Sequence, residues 1–175
     1  MHVPSASDWI SVDYLMSSWG DLLAALGEHV LITVSAVLLA SAVAIPVALI
    51  SVRLGWPVTP VLVIGALLYT VPSLALIIGL WPVLGLSSTT VIAALASYAL
   101  LVILRNAIVG LQSVSPEIVA AGRGLGYGPG QLLIRVGLPI ATPSIMAGIR
   151  LATVSTVGMV MIGALVGLSL IHISE

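Results

Sequence analysis

The sequence predicts an all-α fold, a polytopic bundle of transmembrane helices, and three observations predict it. The 175 residues are 60% hydrophobic and only 6% charged. The mean hydropathy is +1.28. Between Arg53 and Arg105 there is no charged residue at all, a stretch too long for one spanning helix and sufficient for two. A chain of this balance is suited to a lipid solvent, because a soluble domain has no use for so much apolar surface.

The spans follow from length and punctuation. A spanning helix needs about 20 mostly apolar residues. Val30 to Val52 is such a run, closed by Arg53. Gly55-Trp56-Pro57 marks a turn after it, and Pro82 through Ser87-Ser88-Thr89-Thr90 marks the next, since proline and glycine break helices and serine and threonine cap them. Helices are therefore expected over 30–52, 58–81, 89–112 and 143–168, about four spans, with a long polar-tinged connection over 113–139 between the third and fourth.

Charge sets the orientation. Arg53, Arg105, Arg123 and Arg135 all fall on one side of alternating spans, and arginine collects on the cytoplasmic side because it resists translocation. Residues 1–28 carry Asp8, Asp13, Asp21 and Glu28 with no basic residue, so the N-terminus is expected to be extracytoplasmic. That segment lacks the basic start of a cleavable signal. Trp9, Ile10, Tyr14, Leu15 and Trp19 suit an amphipathic stretch at the membrane interface.

Composition also excludes chemistry. All five basic residues are arginines, so the lysine of a phosphate-binding P-loop is missing and ATP hydrolysis of that kind would need a partner chain. There is no cysteine, hence no disulfide, thiolate site or cysteine nucleophile. His2, His29 and His172 are scattered without metal-ligand spacing. No catalytic residue, resident cofactor or nucleic-acid partner is expected.

The connection over 113–139 carries the most information. Ser115 can cap a helix with Pro116 in its first position and Glu117 in its first turn. Ala120, Ala121 and Gly122 would give that helix a flat face, and Gly126 can supply a left-handed end. Gly128-Pro129-Gly130 turns the chain into a second short helix, Gln131–Val136, and Leu138-Pro139 leads back to the membrane. A flat, small-residue surface on a short cytoplasmic helix suits docking into a partner's groove.

At these residues the sequence resembles the permeases of binding-protein-dependent ABC importers, whose loop pattern is Glu-Ala-Ala-x3-Gly-x9-Ile-x-Leu-Pro. Ala120-Ala121-Gly122, Gly126, Val136 and Leu138-Pro139 keep that register. Two positions depart from it: Ala120 stands where the pattern has glutamate, with Glu117 a turn earlier, and Gly122 stands for alanine. From His29 onward the stretches His29–Thr33, Ile45-Pro46, Tyr69-Thr70-Val71-Pro72-Ser73-Leu74-Ala75-Leu76, Leu104-Arg105-Asn106 and Ala147–Ala152 look like the glycine betaine, carnitine and choline branch.

The resemblance implies a MetI-like ABC permease fold over residues 29–168. It implies a partnership with cytoplasmic ABC ATPase subunits that bind the ATP, a second permease copy or paralogue, and an extracytoplasmic substrate-binding protein, all assembled in the bacterial inner-membrane bilayer. Glu117, Ala120, Ala121, Gly122, Gly126, Val136, Leu138 and Pro139 would form the ATPase-coupling loop. Family members carry one more helix, making about five, and residues 169–175 read as a non-native tail.

Tyr69, Pro72, Ser73 and Asn106 are candidates for the translocation path. Tyr69, Trp81 and Tyr98 offer aromatic faces to a quaternary ammonium ion, although aromatics at span ends also serve as interface anchors. Ser73 has the alternative of satisfying backbone freed by Pro72. Arg105 either lines the path or snorkels to the cytoplasmic interface, and Arg150 is expected to pack against the loop helices. Two alternatives to osmoprotectant import stay open: an ABC permease for methionine or another amino acid, and an ion-coupled secondary transporter. Against the latter, Glu117 is the only acidic residue between Val30 and Leu168, and it lies in the loop.

Overall fold

The computed structural model describes residues 19–55, 59–85 and 87–171, with the side chains of 61, 68 and 162–171 outside the description. These residues form α1 (Trp19–Leu54), α2 (Thr59–Thr70), α3 (Ser73–Leu84), α4 (Ser88–Gln112), α5 (Pro116–Gly124), α6 (Pro129–Leu132), a π-helical turn (Leu133–Gly137) and α7 (Leu138–Ile171). The all-α expectation holds among the described residues. The interfacial stretch around Trp9 and Tyr14, the Trp56-Pro57 turn and the tail from His172 lie outside them.

The core is a three-helix seam. In α1 the alanines at 36, 40, 44 and 48 recur every fourth residue and are all essentially buried. That spacing lines one helix face with side chains small enough for a neighbouring backbone to come close. The neighbour is α4, which brings Leu95, Ala99, Ile103, Leu104 and Ala107 into the seam, and α7 closes it with Ala141, Ile145 and Ala152. Because lipid is as apolar as leucine, such packing of small residues is what holds spanning helices together. The large residues Leu22, Leu31, Leu38, Leu151 and Val154 face outward, as a lipid-facing surface requires.

Among the described residues, three helices are long and apolar enough to cross a membrane: Trp19–Leu54, Ser88–Gln112 and the run through Pro129–Met161. The single span expected over 58–81 is instead two 12-residue helices, α2 and α3, interrupted at Val71-Pro72. Each is about 18 Å long, short of a hydrocarbon core of about 30 Å. Proline has no N–H to continue the ladder, and the residue before it is pushed towards extended backbone, so the break falls there. Pro82, read from sequence as the end of that span, lies within α3, which stops at Gly85 with φ of +74°.

The other boundaries also move. The first helix begins at Trp19 and not near Val30, so ten residues of the expected N-terminal segment belong to α1. Its 36 residues span about 54 Å at 1.5 Å per residue. The fourth span begins at Leu138 instead of 143, keeps Pro143 inside it, and is entered without a break from the preceding π turn.

Candidate functional site

The connection between α4 and α7 is built from backbone rules outward. The Ser115 hydroxyl accepts the N–H of Ile118 at 3.5 Å, capping α5, and Pro116 occupies its first turn. Glu117 sits fully exposed beside this cap. Hydrogen bonds from its own backbone N–H and from the Ser115 hydroxyl hold its carboxyl below the usual carboxylate range.

The far end of α5 closes as a Schellman motif. Tyr127 N–H donates to the Gly122 carbonyl at 3.1 Å and Gly126 N–H to the Arg123 carbonyl at 2.9 Å. Gly126 takes φ of +83°, the left-handed conformation expected of it. The Gly128 N–H then donates to the Gln131 side chain at 3.2 Å and opens α6. The Arg135 guanidinium lies 5.8 Å from the centre of the Tyr127 ring, tying the turn to the π segment.

The flat face is narrower than the sequence suggested. Ala120 and Ala121 are exposed, but Gly122 is buried, turned inward onto α6. A Cβ on Gly122 would stand 2.5 Å from Leu132 Cδ2 and 3.7 Å from the Tyr127 ring. Gly122 therefore allows α5 and α6 to touch and contributes no docking surface. Leu132, which sequence reasoning passed over, is its counterpart.

The second short helix is not free-standing. α6 runs through the π turn, in which Leu138 N–H bonds to the Leu133 carbonyl, directly into α7. Pro139 explains the widened turn: it can give no N–H to Arg135, and its ring would press on that carbonyl in a regular α-helix. Val136 and Leu138 are half-buried here, Pro139 is exposed, and Gly137 is buried, so that a Cβ added to it would stand 3.7 Å from Leu133 Cδ1. Arg53, at the end of α1, reaches the same region, its Nη2 standing 3.9 Å from the Cβ position of Gly130.

The candidate path residues do not gather at one point. Asn106 lies where α4 crosses α7: its Nδ2 bonds back to Val102 O at 2.8 Å, and its carbonyl accepts the Ser144 hydroxyl at 2.9 Å. The crossing is close because Gly148 faces Asn106 and Gly110 faces Ala141 and Ser144. Ala141 and Ser144 carry no sequence signal beyond being small, and Gly148 stands out only as part of the Ala147–Ala152 stretch.

Tyr69, Pro72 and Ser73 lie together at the α2–α3 break, about 12 Å from Asn106 along α4, counting from Tyr98. Tyr69 packs edge-on against Tyr98 with ring centres 5.6 Å apart. The Tyr98 hydroxyl donates to the Val71 carbonyl at 2.5 Å. Ser73 is half-buried at the start of α3, and it is Tyr98 that reaches the backbone at the break. Arg105 is exposed on α4. Arg150, expected to pack against the loop helices, is exposed on α7 beside Met146, Ala147 and Val154.

Comparison with known proteins identifies the family. The family described as binding-protein-dependent transport system inner membrane component matches residues 36–173. The choline transport system permease protein OpuBB of Bacillus subtilis is 34% identical over 156 residues, covering 89% of this chain and 72% of that protein. The carnitine transport permease protein OpuCB of Listeria monocytogenes is 35% identical over the same length and coverage. The osmoprotectant import permease protein OsmW of Salmonella typhimurium is 35% identical over 162 residues, with 90% and 75% covered. With apolar spans, a loop in register and relatives over nine-tenths of its length, the chain belongs to the inner-membrane permease family of binding-protein-dependent transport systems.

Proposed function

We propose that this chain is the pore-forming subunit of an ATP-driven importer for a quaternary ammonium osmoprotectant such as glycine betaine, choline or carnitine. The observation that carries the reading is the α5–α6 unit. It is a capped helix and turn presenting Ala120 and Ala121 outward while continuing covalently and helically into a span. Supporting it, the relatives reported above are named for choline, carnitine and osmoprotectant transport.

On this reading the loop and Arg53 face the cytoplasm, and the N-terminus faces outward. Cytoplasmic ATPase subunits bind and hydrolyse the ATP and receive Ala120–Ala121 in a groove. A second permease copy or paralogue completes the pore, and an extracytoplasmic binding protein delivers the substrate. The chain itself binds no nucleotide. Its work is to convert closure of the ATPases into movement of α7 and α4, so that a path opens alternately to each side.

The test is uptake of labelled glycine betaine, choline and carnitine by vesicles holding the chain with its ATPase and binding protein. Uptake that needs ATP and saturates with at least one of the three is the expected result. Uptake driven by an ion gradient without ATP, or uptake confined to methionine or another amino acid, would overturn the proposal.

A further inference from the structure

Helices α2 and α3 are tied to the rest of the bundle differently from its other parts. α1, α4 and α7 share a seam of buried alanines and glycine crossings. Among the described side chains of α2 and α3, only Ile77 is buried, at 5% exposure. Gly65 of α2 lets Leu101 of α4 approach it, and further contacts come from the break itself.

The break has an unusual polar demand. The ladder of α3 starts with Leu76 N–H on the Pro72 carbonyl at 3.1 Å, so the Val71 carbonyl stands outside it. Thr70 turns its hydroxyl back to Leu67 O at 2.7 Å and does not serve Val71. In hydrocarbon a backbone carbonyl without a donor is costly, because no water can replace the lost partner. The donor here comes from another helix: Tyr98 of α4, itself 5% exposed, oriented by the edge of Tyr69. Behind it lies a narrow cleft bounded by Val102, Ala152 and Thr156, too tight for a water molecule.

We propose that Tyr98 is a positioning residue for transport, its hydroxyl pinning the α2–α3 break against α4 and α7, and that release of this pin accompanies opening of the path along that seam. The inference rests on the permease reading. A single hydrogen bond suits such a pin: it satisfies the carbonyl in the closed state and is exchanged for water when the seam opens. Tyr69 and Tyr98, packed edge to face when closed, would then present their faces to the seam.

The test exploits the absence of cysteine from the chain. Ile77→Cys is placed in the chain assembled with its ATPase and binding protein in vesicles and labelled with a membrane-impermeant thiosulfonate. In the parent, labelling is slow without ATP and rises with ATP and loaded binding protein. In Tyr98→Phe it is already faster without ATP, roughly three- to tenfold as the loss of one interhelical hydrogen bond predicts, and the ATP dependence is largely gone. Val83→Cys, at 81% exposure, labels equally in both backgrounds.

Equal Ile77→Cys rates in the parent and in Tyr98→Phe, or no effect of ATP in the parent, overturn the proposal. If unequal Val83→Cys labelling shows that Tyr98→Phe misassembles, Tyr69→Leu serves instead. It keeps the Tyr98 hydroxyl and removes the ring packed edge to face with it, so the Ile77→Cys rate must rise, and an unchanged rate overturns the pin. Uptake by the unmodified complex in the same vesicles checks the permease reading separately.

Discussion

Replacing Gly110 by alanine should destabilise the bundle by about 2–3 kcal/mol, a figure that follows from the α4–α7 crossing. The new Cβ would lie 2.7 Å from Ser144 Cβ, 3.0 Å from the Ala141 carbonyl oxygen and 3.2 Å from Ala141 Cα. Carbon atoms prefer roughly 3.5–4.0 Å, and all three neighbours are backbone or fixed directly to it, so no rotamer change relieves the overlap. The helices must part by about 1 Å, and overpacking of this kind costs about 1–3 kcal/mol. Parting also stretches the 2.9 Å bond from Ser144 to the Asn106 carbonyl, worth about 0.6 kcal/mol by membrane-protein averages.

Unfolding of the purified chain in mixed micelles with rising dodecyl sulfate, followed by circular dichroism, measures the difference. Gly79→Ala is the control: it has nothing within 4 Å, and restricting the unfolded chain should leave it neutral or stabilised by about 0.4–1 kcal/mol. Gly148→Ala meets Asn106 Cβ at 2.6 Å on the same crossing. Once the helices have parted for one methyl the second finds room, so the double variant should lose less than the sum of the two. A Gly110→Ala midpoint equal to the parent's, or strict additivity, would refute the account.

On the loop, and on the proposed reading, Ala121→Asp should leave the fold intact, because Ala121 is exposed, while ATP hydrolysis by the assembled importer continues and uptake falls at least tenfold. Gly126→Ala should cost about 1–2 kcal/mol for a left-handed residue with a Cβ, seen as faster amide exchange at Gly126 and Tyr127. Ser115→Ala should raise exchange in the first turn of α5, consistent with a cap worth about 0.5–2 kcal/mol. The Glu117 carboxyl is held below its ordinary value in the folded state, so its contribution is present above the unfolded value and lost as pH falls through the folded one. Exchange at Ile118 and Val119 should therefore accelerate on acidification through that lowered value, and less so in Ser115→Ala. Pro139→Ala should allow the π turn to return to an α-helix, turning α6 by about one residue's 100° relative to α7. Uptake per ATP hydrolysed should drop, and an unchanged ratio would show that the turn's register is immaterial.

What the sequence revealed and what it hid divide along physical lines. Charge-free runs located α4 up to Leu104 and most of α1 because hydrocarbon excludes charge regardless of packing. Ser115 and Gly126 were legible because capping and left-handed backbone are local requirements that few residues meet. The start of α1 was not: Asp21 and Glu28 look like a segment outside the membrane, yet Leu22, Leu23, Ala24, Ala25 and Leu26 favour helix wherever they sit. Gly122 looked like part of an exposed face because its burial depends on Leu132, placed there only after the chain turns through Gly126. The pairing of Tyr98 with Val71 spans 27 residues and depends on how α2 lies on α4, which no local pattern encodes. The π turn follows from a proline whose effect a composition-based reading registers only as an end.

These elements constrain how a push at the loop can travel. α6 is continuous with α7, so a displacement of α5–α6 cannot be absorbed at a flexible joint between them. α7 is locked to α4 through Gly110, Ala141, Ser144 and Gly148, where even a methyl group does not fit, and α4 is locked to α1 through the alanine row. Packed interfaces of this kind move as units or not at all. The α2–α3 pair is different, because most of its described residues are exposed, only Ile77 among them is buried, and its break is tied to α4 by a side-chain hydrogen bond. Relative motion concentrates where the restoring interactions are fewest. On the proposed reading, a stroke delivered to Ala120–Ala121 therefore moves α7, α4 and α1 together and is released at the Tyr98–Val71 contact. A bundle weakened at Gly110 would instead let α7 slip against α4, and the same stroke would be spent there before reaching the break.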